Sequence, residues 1–219
     1  MVESVNQSYD WNKLVEIAKQ DMQRSDRAHD WPHIKRVVEN GYLIASKINN
    51  VDYDVLDASL LLHDISLGRG YGIKGHESTS AVEAEKILTE TGFWQERIPK
   101  VVKNIKQHNR AYGLQRLEES DFSIENKILC DADRLDSLGV IGIIRMIEFT
   151  ATNQKVPYII DGNEGRDKSL YGNLKNLLNL AGDMLTERGS EMARERMGII
   201  DEFLRTLRAG QGIYLPKGS

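Results

Sequence analysis

Apolar residues recur at three- and four-residue intervals along most of the 219-residue chain, the period of amphipathic helices. Trp11, Leu14, Val15, Ala18 and Met22 predict a first helix of about three turns. Asp30 can cap a second helix and Pro32 suits its first turn; Ile34, Val37, Val38, Tyr42, Ala45 and Ile48 form its expected buried stripe. A third helix starts at Asp52 or Asp54 and runs to Asp64. Helical patterns resume from His76 to about Thr91 and from about Glu96 to His108, and fade between Arg110 and Phe122. A short helix from Ile124 to Ala132 precedes a strongly apolar one from Leu135 to Phe149. Leu138, Val140, Ile141, Ile143, Ile144 and Ile147 of the latter are expected at the centre of the core. Residues 152–168 have no period and read as a surface excursion or lid. Two more helices, Ser169 to Thr186 and Ser190 to Leu207, lead into a tail at 210–219. No stretch alternates with period two and no internal repeat is visible. The fold class is therefore all-α, a compact bundle of about eight or nine helices.

Composition narrows the setting. The length fits one domain spanning 1–219, with a core from about residue 11 to 208, and 40% hydrophobic with 28% charged residues describes an ordinary globular protein. A net charge of -4 argues against a broad basic surface for nucleic acid, while leaving room for a local basic pocket. Cys130 is the single cysteine, so no internal disulfide can form and a reducing compartment is the default. The polar N-terminus lacks an apolar signal region and no run is long enough to span a bilayer, which makes the cytoplasm the expected location. Oligomeric state is not specified at this level.

The candidate chemistry centres on His63-Asp64, at the end of an apolar run. Five His and sixteen Asp would give about 0.4 such pairs by chance, so the dipeptide alone is weak. Its company is stronger: His29-Asp30-Trp31-Pro32-His33 upstream, with the two histidines four residues apart across a helix start, and Asp131, Asp133 and Asp136 downstream. Burying Asp64 beside Leu60-Leu61-Leu62 is costly unless a cation or partner accompanies it, and three carboxylates within six residues repel without a nearby positive charge. Imidazole and carboxylate together suit a borderline or hard divalent ion such as manganese, iron, cobalt, nickel or zinc, with magnesium also in range. The absence of thiolates argues against a closed structural zinc site. Gly68, Gly70, Gly72 and Gly75 predict a mobile loop after this pair, where Arg69 and Lys74 are available to a phosphate.

The order His33, then His63-Asp64, then Asp133 resembles the HD superfamily of metal-dependent phosphohydrolases. The motifs HDWPHIKRV, LLHDI, GHESTSAVEAEKIL, IKQH, KILCDADRLDSLGVIGIIR and LKNLLNLAGDMLTERGSEMARERM, over roughly residues 11 to 208, are similar to a bacterial subgroup of small HD proteins that includes nucleoside triphosphate pyrophosphatases. The resemblance implies one divalent ion held by His33, His63, Asp64 and Asp133, and a small phosphorylated substrate, most simply a nucleotide. His76 and His108 match positions that either hold a second ion or contact phosphate; phosphate contact is the favoured reading, placing both with Asp64 in the catalytic set. Arg36, His29, Lys74 and Lys175 are the expected substrate contacts. For Arg36 the bland alternative is a surface ion pair, and for Lys175 a solvated helix face; Tyr171-Gly172-Asn173 departs from the more aromatic approach expected before that lysine. Asp131 and Asp136 are expected to orient ligand imidazoles or the adjoining loop, with capping as the competing role. Cys130 and Trp31 read as packing.

Two other classes fit the same residues. A di-iron oxygenase of HD fold would require both His76 and His108 as ligands. A non-catalytic helical module would bind a nucleotide or partner around a vestigial ion.

Overall fold

Three aspartates start the first three helices. In the computed structural model, which describes residues 9–23, 29–109, 122–151 and 169–210, the side chains of Asp10, Asp30 and Asp52 accept hydrogen bonds from the amides of Lys13, His33 and Val55. Each bond satisfies one of the amides that a helix start leaves without a partner. The helices that follow are α1 (Trp11–Met22), α2 (Trp31–Ala45) and α3 (Tyr53–Leu62). The chain then makes a single turn, α4 (Ile65–Gly68), followed by α5 (His76–Glu90), α6 (Ile98–Gln107), α7 (Ile124–Asp136), α8 (Gly139–Phe149), α9 (Leu170–Leu180) and α10 (Glu187–Gly210). Nine of the ten are at least ten residues long, and no strand occurs among the described residues, so the all-α expectation holds.

The chain divides into two compact units, residues 1–132 and 133–219, with the division inside α7. In the first, Leu14, Ile34, Leu62, Ile65, Leu88 and Ile105 belong to one continuous apolar core. Tyr9, Phe93 and Trp94 close one edge of it in edge-to-face contacts. Glycines permit two approaches that matter for the site. A Cβ on Gly41 of α2 would come 2.6 Å from a Leu60 methyl on α3, and one on Gly68 of α4 would come 2.7 Å from the Asp21 carbonyl oxygen on α1. Gly75, which begins α5, has φ of 75°, a conformation other residues rarely adopt. In the second unit α8 and α9 pack on α10. The Arg134 guanidinium donates to the Asp183 carbonyl, Arg196 to the Leu135 carbonyl at 2.6 Å, and Arg145 to the Asp136 carboxylate at 2.7 Å.

Several expectations need correction. Tyr42 is on the outer side of α2, 42% exposed, where its hydroxyl donates to Asp57 at 2.7 Å and its ring stacks on Tyr53; Ile44 takes the buried place. Desolvation and the Asp57 contact push the Tyr42 phenol up. Among the expected core residues of α8, Leu138 and Ile143 are buried, but Val140, Ile141, Ile144 and Ile147 are exposed. The sequence there is apolar on all but the face of Arg145 and Glu148, whereas α8 buries only the strip containing Gly139, Gly142 and Ile143. α7 continues to Asp136 instead of stopping at Ala132. α9 ends at Leu180, short of Thr186, whose hydroxyl instead accepts from the Gly189 amide at the start of α10. Gly210, the first residue assigned to the tail, ends α10. The 110–122 loop, apart from Phe122, the 152–168 excursion and the rest of the tail lie outside the described residues.

Candidate metal and phosphate site

The Asp30 cap that begins α2 bonds to the amide of His33, fixing that histidine in the first helical turn. His63 closes the C-terminal end of α3 and Asp64 follows in the turn before α4, its side chain taking no part in capping. His76 opens α5 and His108 closes α6. These five residues meet in the interior of the first unit, none more than 6% exposed.

Asp64 is at the centre. Its Oδ2 lies 3.6 Å from His33 Nε2 and 3.5 Å from His63 Nε2, and its Oδ1 lies 3.1 Å from His76 Nε2 and 3.7 Å from His108 Nε2. Nε2 of His76 and Nε2 of His108 are 3.3 Å apart. Burial alone would raise the Asp64 carboxyl; the charge on His63 and contacts from His108, His33 and His76 outweigh it and hold the group well below the usual carboxylate range. His76 responds in the opposite direction. Desolvation would lower it, but Asp64 and the Ile73 carbonyl push its pKa up to about 9, so without an ion this imidazole carries a proton at neutral pH.

The rings are held from behind. Nδ1 of His63, His76 and His108 faces the carbonyl oxygen three residues earlier, Leu60 at 3.0 Å, Ile73 at 2.8 Å and Ile105 at 2.6 Å. A carbonyl only accepts, so each Nδ1 donates, and each Nε2 is left pointing toward Asp64. This is the tautomer a histidine uses when Nε2 binds a metal. Donor atoms about 2.0–2.2 Å from one ion stand roughly 3.0–3.5 Å from each other, and the separations around Asp64 are close to that spacing. Two groups of three fit a cation, His33 with His63 and Asp64, and Asp64 with His76 and His108. The residues present therefore suit a divalent ion. Helix ends act in both directions: the negative C-terminal ends of α3 and α6, which bear His63 and His108, favour a cation, while the positive N-terminal ends of α2 and α5, which bear His33 and His76, favour an anion.

The other predicted residues are distributed more widely. The His29 ring stands edge-on to His33, with centroids 5.9 Å apart, and both His29 and Arg36 are half-buried. Lys74 is exposed on the connection into α5. Arg69 is not available to a phosphate: it donates to Asp21 at 2.7 Å and to Glu83, clamping the end of α4 between α1 and α5. Asp131 is fully buried on α7. Asp133 opens the second unit, half-buried; Asp136, in the same unit, receives the Arg145 bond; and Lys175 is exposed on α9. Cys130 is buried and Trp31 packs against the core.

Sequence reasoning missed the buried polar residues behind the histidines: Asn40, Ser59, Ser66, Asn104 and Asn126. Their signal was spacing. Ser59 and Asn104 each precede a site histidine by four residues, one helical turn.

The chain is similar to several known proteins. YpgQ of Bacillus subtilis is 30% identical over 183 residues, covering 82% of each chain. A crystal structure of that protein in complex with ADP matches with a TM-score of 0.70 and 25% identity over 94% of this chain and 95% of the other. A predicted HD superfamily hydrolase from an uncultured Thermotogales bacterium matches with a TM-score of 0.63 and 26% identity, covering 92% and 93% of the two chains. The HD domain family model matches residues 31–138, which include His33, His63, Asp64, His76, His108 and Asp133. With its histidines and aspartate gathered as described, the chain belongs to the HD domain family.

Proposed function

We propose that the protein is a metal-dependent phosphohydrolase acting on a small phosphate ester or anhydride, most simply a nucleotide, in the manner of the nucleoside triphosphate pyrophosphatases it resembles. The observation that carries this reading is the convergence of four Nε2 atoms on one buried carboxylate. An apolar core tolerates such a set only if charge inside it is balanced. The ADP complex of the YpgQ structure supports a nucleotide as the ligand class.

In this reading His33, His63 and Asp64 hold the ion, with Asp133 as the fourth ligand on the strength of the sequence order. Manganese is the first choice on ligand chemistry, though other divalent ions share the same preference. The bound ion supplies a Lewis acid for a phosphoryl oxygen and acidifies a water for attack on phosphorus. His76 Nε2 lies 3.1 Å from Asp64, and from that position the ring, when protonated, can donate to a phosphate oxygen. His108, 3.3 Å away, can share that oxygen. His29, Arg36 and Lys74 would add donors and positive charge toward the substrate, and preorganised donors contribute most where charge grows in the transition state. Lys175 is proposed from the sequence match. Asp131 and Asp136 would orient the parts of the chain that carry the ligands. The pair Asp64 and His76 with His108 also forms a ligand group of its own, and occupation by a second ion is the alternative use of the same atoms.

The test is a turnover screen. Purified protein with manganese, cobalt, nickel, zinc or magnesium is incubated with nucleoside mono-, di- and triphosphates, and the product is identified as phosphate or pyrophosphate. Hydrolysis that requires the metal and is lost in Asp133→Ala supports the reading and the fourth ligand together. Metal-loaded protein that turns over none of these substrates would leave a binding module as the better account.

A further inference from the structure

One turn behind the histidines is a second polar layer, in which Ser59, Asn104 and Asn126 are buried. Asn104 on α6 precedes His108 by four residues, and Ser59 on α3 precedes His63 by four. Asn104 Nδ2 donates to Ser59 Oγ at 3.3 Å, Asn104 Oδ1 accepts from Ser123 Oγ at 3.1 Å, and the Asn104 carbonyl accepts from Asn126 Nδ2 at 2.9 Å. That carbonyl is in the last turn of α6, where the helix has no amide to offer it: the His108 amide bonds to Ile105 instead. Ser123 also caps α7 through the Asn126 amide at 3.1 Å, and Cys130, one turn along from Asn126, donates to the His108 carbonyl at 3.3 Å. A single asparagine thus bonds to α3 and, twice, to the start of α7, while belonging to the helix that bears His108.

Burial of apolar surface is non-directional, so side-chain interlocking specifies the axial positions of these helices less narrowly than directional bonds do. Hydrogen bonds lose strength over a slip of an ångström. We propose that Asn104 is a positioning residue that locks the axial register of α3, α6 and α7, and so sets the distance between the His63-Asp64 pair and His108. The proposal rests on the metal-dependent reading of the site, since register matters to function only if those groups act together.

The expected consequence is large relative to the size of the change, because a displacement of about 1 Å in a reacting constellation can cost on the order of a hundredfold in rate. Asn104→Leu removes the hub with an apolar side chain of similar size, and Ser59→Ala removes the α3 link together with the bond from Ser59 Oγ to the Val55 carbonyl within α3. Val101→Ala, in the same core and on the same helix, serves as a control for lost stability. Each is studied well below its unfolding temperature. The first readout is the visible absorption of the cobalt(II) protein, which reports coordination geometry; the second is the imidazole nitrogen resonances of the metal-free protein; the third is kcat against KM. Asn104→Leu and Ser59→Ala are expected to shift the cobalt bands and the His63 and His108 resonances and to lower kcat tenfold or more with KM little changed. Val101→Ala is expected to leave all three as in the wild type. Asn104→Leu that matches Val101→Ala in spectrum, resonances and kcat would overturn the proposal, and if Asn104→Leu does not fold, Ser59→Ala decides by the same measures. Should the wild type hydrolyse no phosphate compound, the proposed function fails while the resonances, which need neither metal nor substrate, still decide the role of Asn104.

Discussion

Oδ1 of Asp64 lies 3.1 Å from Nε2 of His76, while the other oxygen of the same carboxylate serves His33 and His63. One carboxylate therefore belongs to both groups of potential ligands. Asp64→Asn keeps the shape and removes the charge, and it is expected to abolish metal binding at both groups and lower turnover by at least a hundredfold, with the helical circular dichroism retained. Metal content after dialysis and turnover check this together; a metal-replete, active Asp64→Asn protein would contradict the assignment.

His33 and His76 separate the two groups. His33→Ala is expected to remove the ion, whereas His76→Ala is expected to keep one ion per chain and lose turnover by about a hundredfold, the scale for one preorganised donor to a transition state. Calorimetric metal stoichiometry on both variants distinguishes them. Loss of the ion in His76→Ala would instead make His76 a ligand.

Glu83 gives the pH dependence outside the site. The hydrogen bond from Lys86, and that from Arg69 against the opposing effect of burial, hold its carboxyl below the ordinary range. A depressed folded pKa means the contribution is present above about 4.3, the unfolded value, and is lost as pH falls through the folded one. Glu83→Gln is therefore expected to cost about 1 kcal/mol at pH 7, with a smaller gap to wild type at pH 3. Urea unfolding at the two pH values measures it; a gap that stays constant would show that the ion pair contributes nothing.

Gly68→Ala tests the seating of the turn after Asp64. The added methyl would meet the Asp21 carbonyl at 2.7 Å, and overpacking of this kind costs about 1–3 kcal/mol. The denaturation midpoint should fall accordingly. An unchanged midpoint would mean that α4 and α1 can separate at no cost.

Most of the helices were legible because their apolar spacing and their Asp caps agreed, as at Asp10, Asp30 and Asp52. The family resemblance implied one ion held by His33, His63, Asp64 and Asp133 with His76 and His108 nearby; of these, His33, His63, Asp64, His76 and His108 lie together in the first unit. What the pattern could not supply was orientation and competition. Tyr42 sits at a helical position compatible with burial, yet its hydroxyl found Asp57 at the surface. Arg69 looked available until Asp21 and Glu83 engaged it, since a partner 48 residues away leaves no local trace. α8 shows the limit of periodicity: where most of the helix surface is apolar, spacing does not say which part is covered. The Asn104 hub was missed because a buried amide between polar neighbours has no composition signal, only its one-turn offset from a histidine.

Two of the rings that point at Asp64 also finish the helices they stand on, His63 accounting for the Leu60 carbonyl and His108 for the Ile105 carbonyl. Recognition chemistry and chain architecture are therefore vested in the same two rings, through opposite nitrogens. Substituting either imidazole would fray a helix terminus at the moment it deletes a donor, so inactivation of such a variant conflates two injuries. For this protein the drift of sequence at those two positions is constrained twice over, by what the pocket holds and by where the polypeptide must stop coiling.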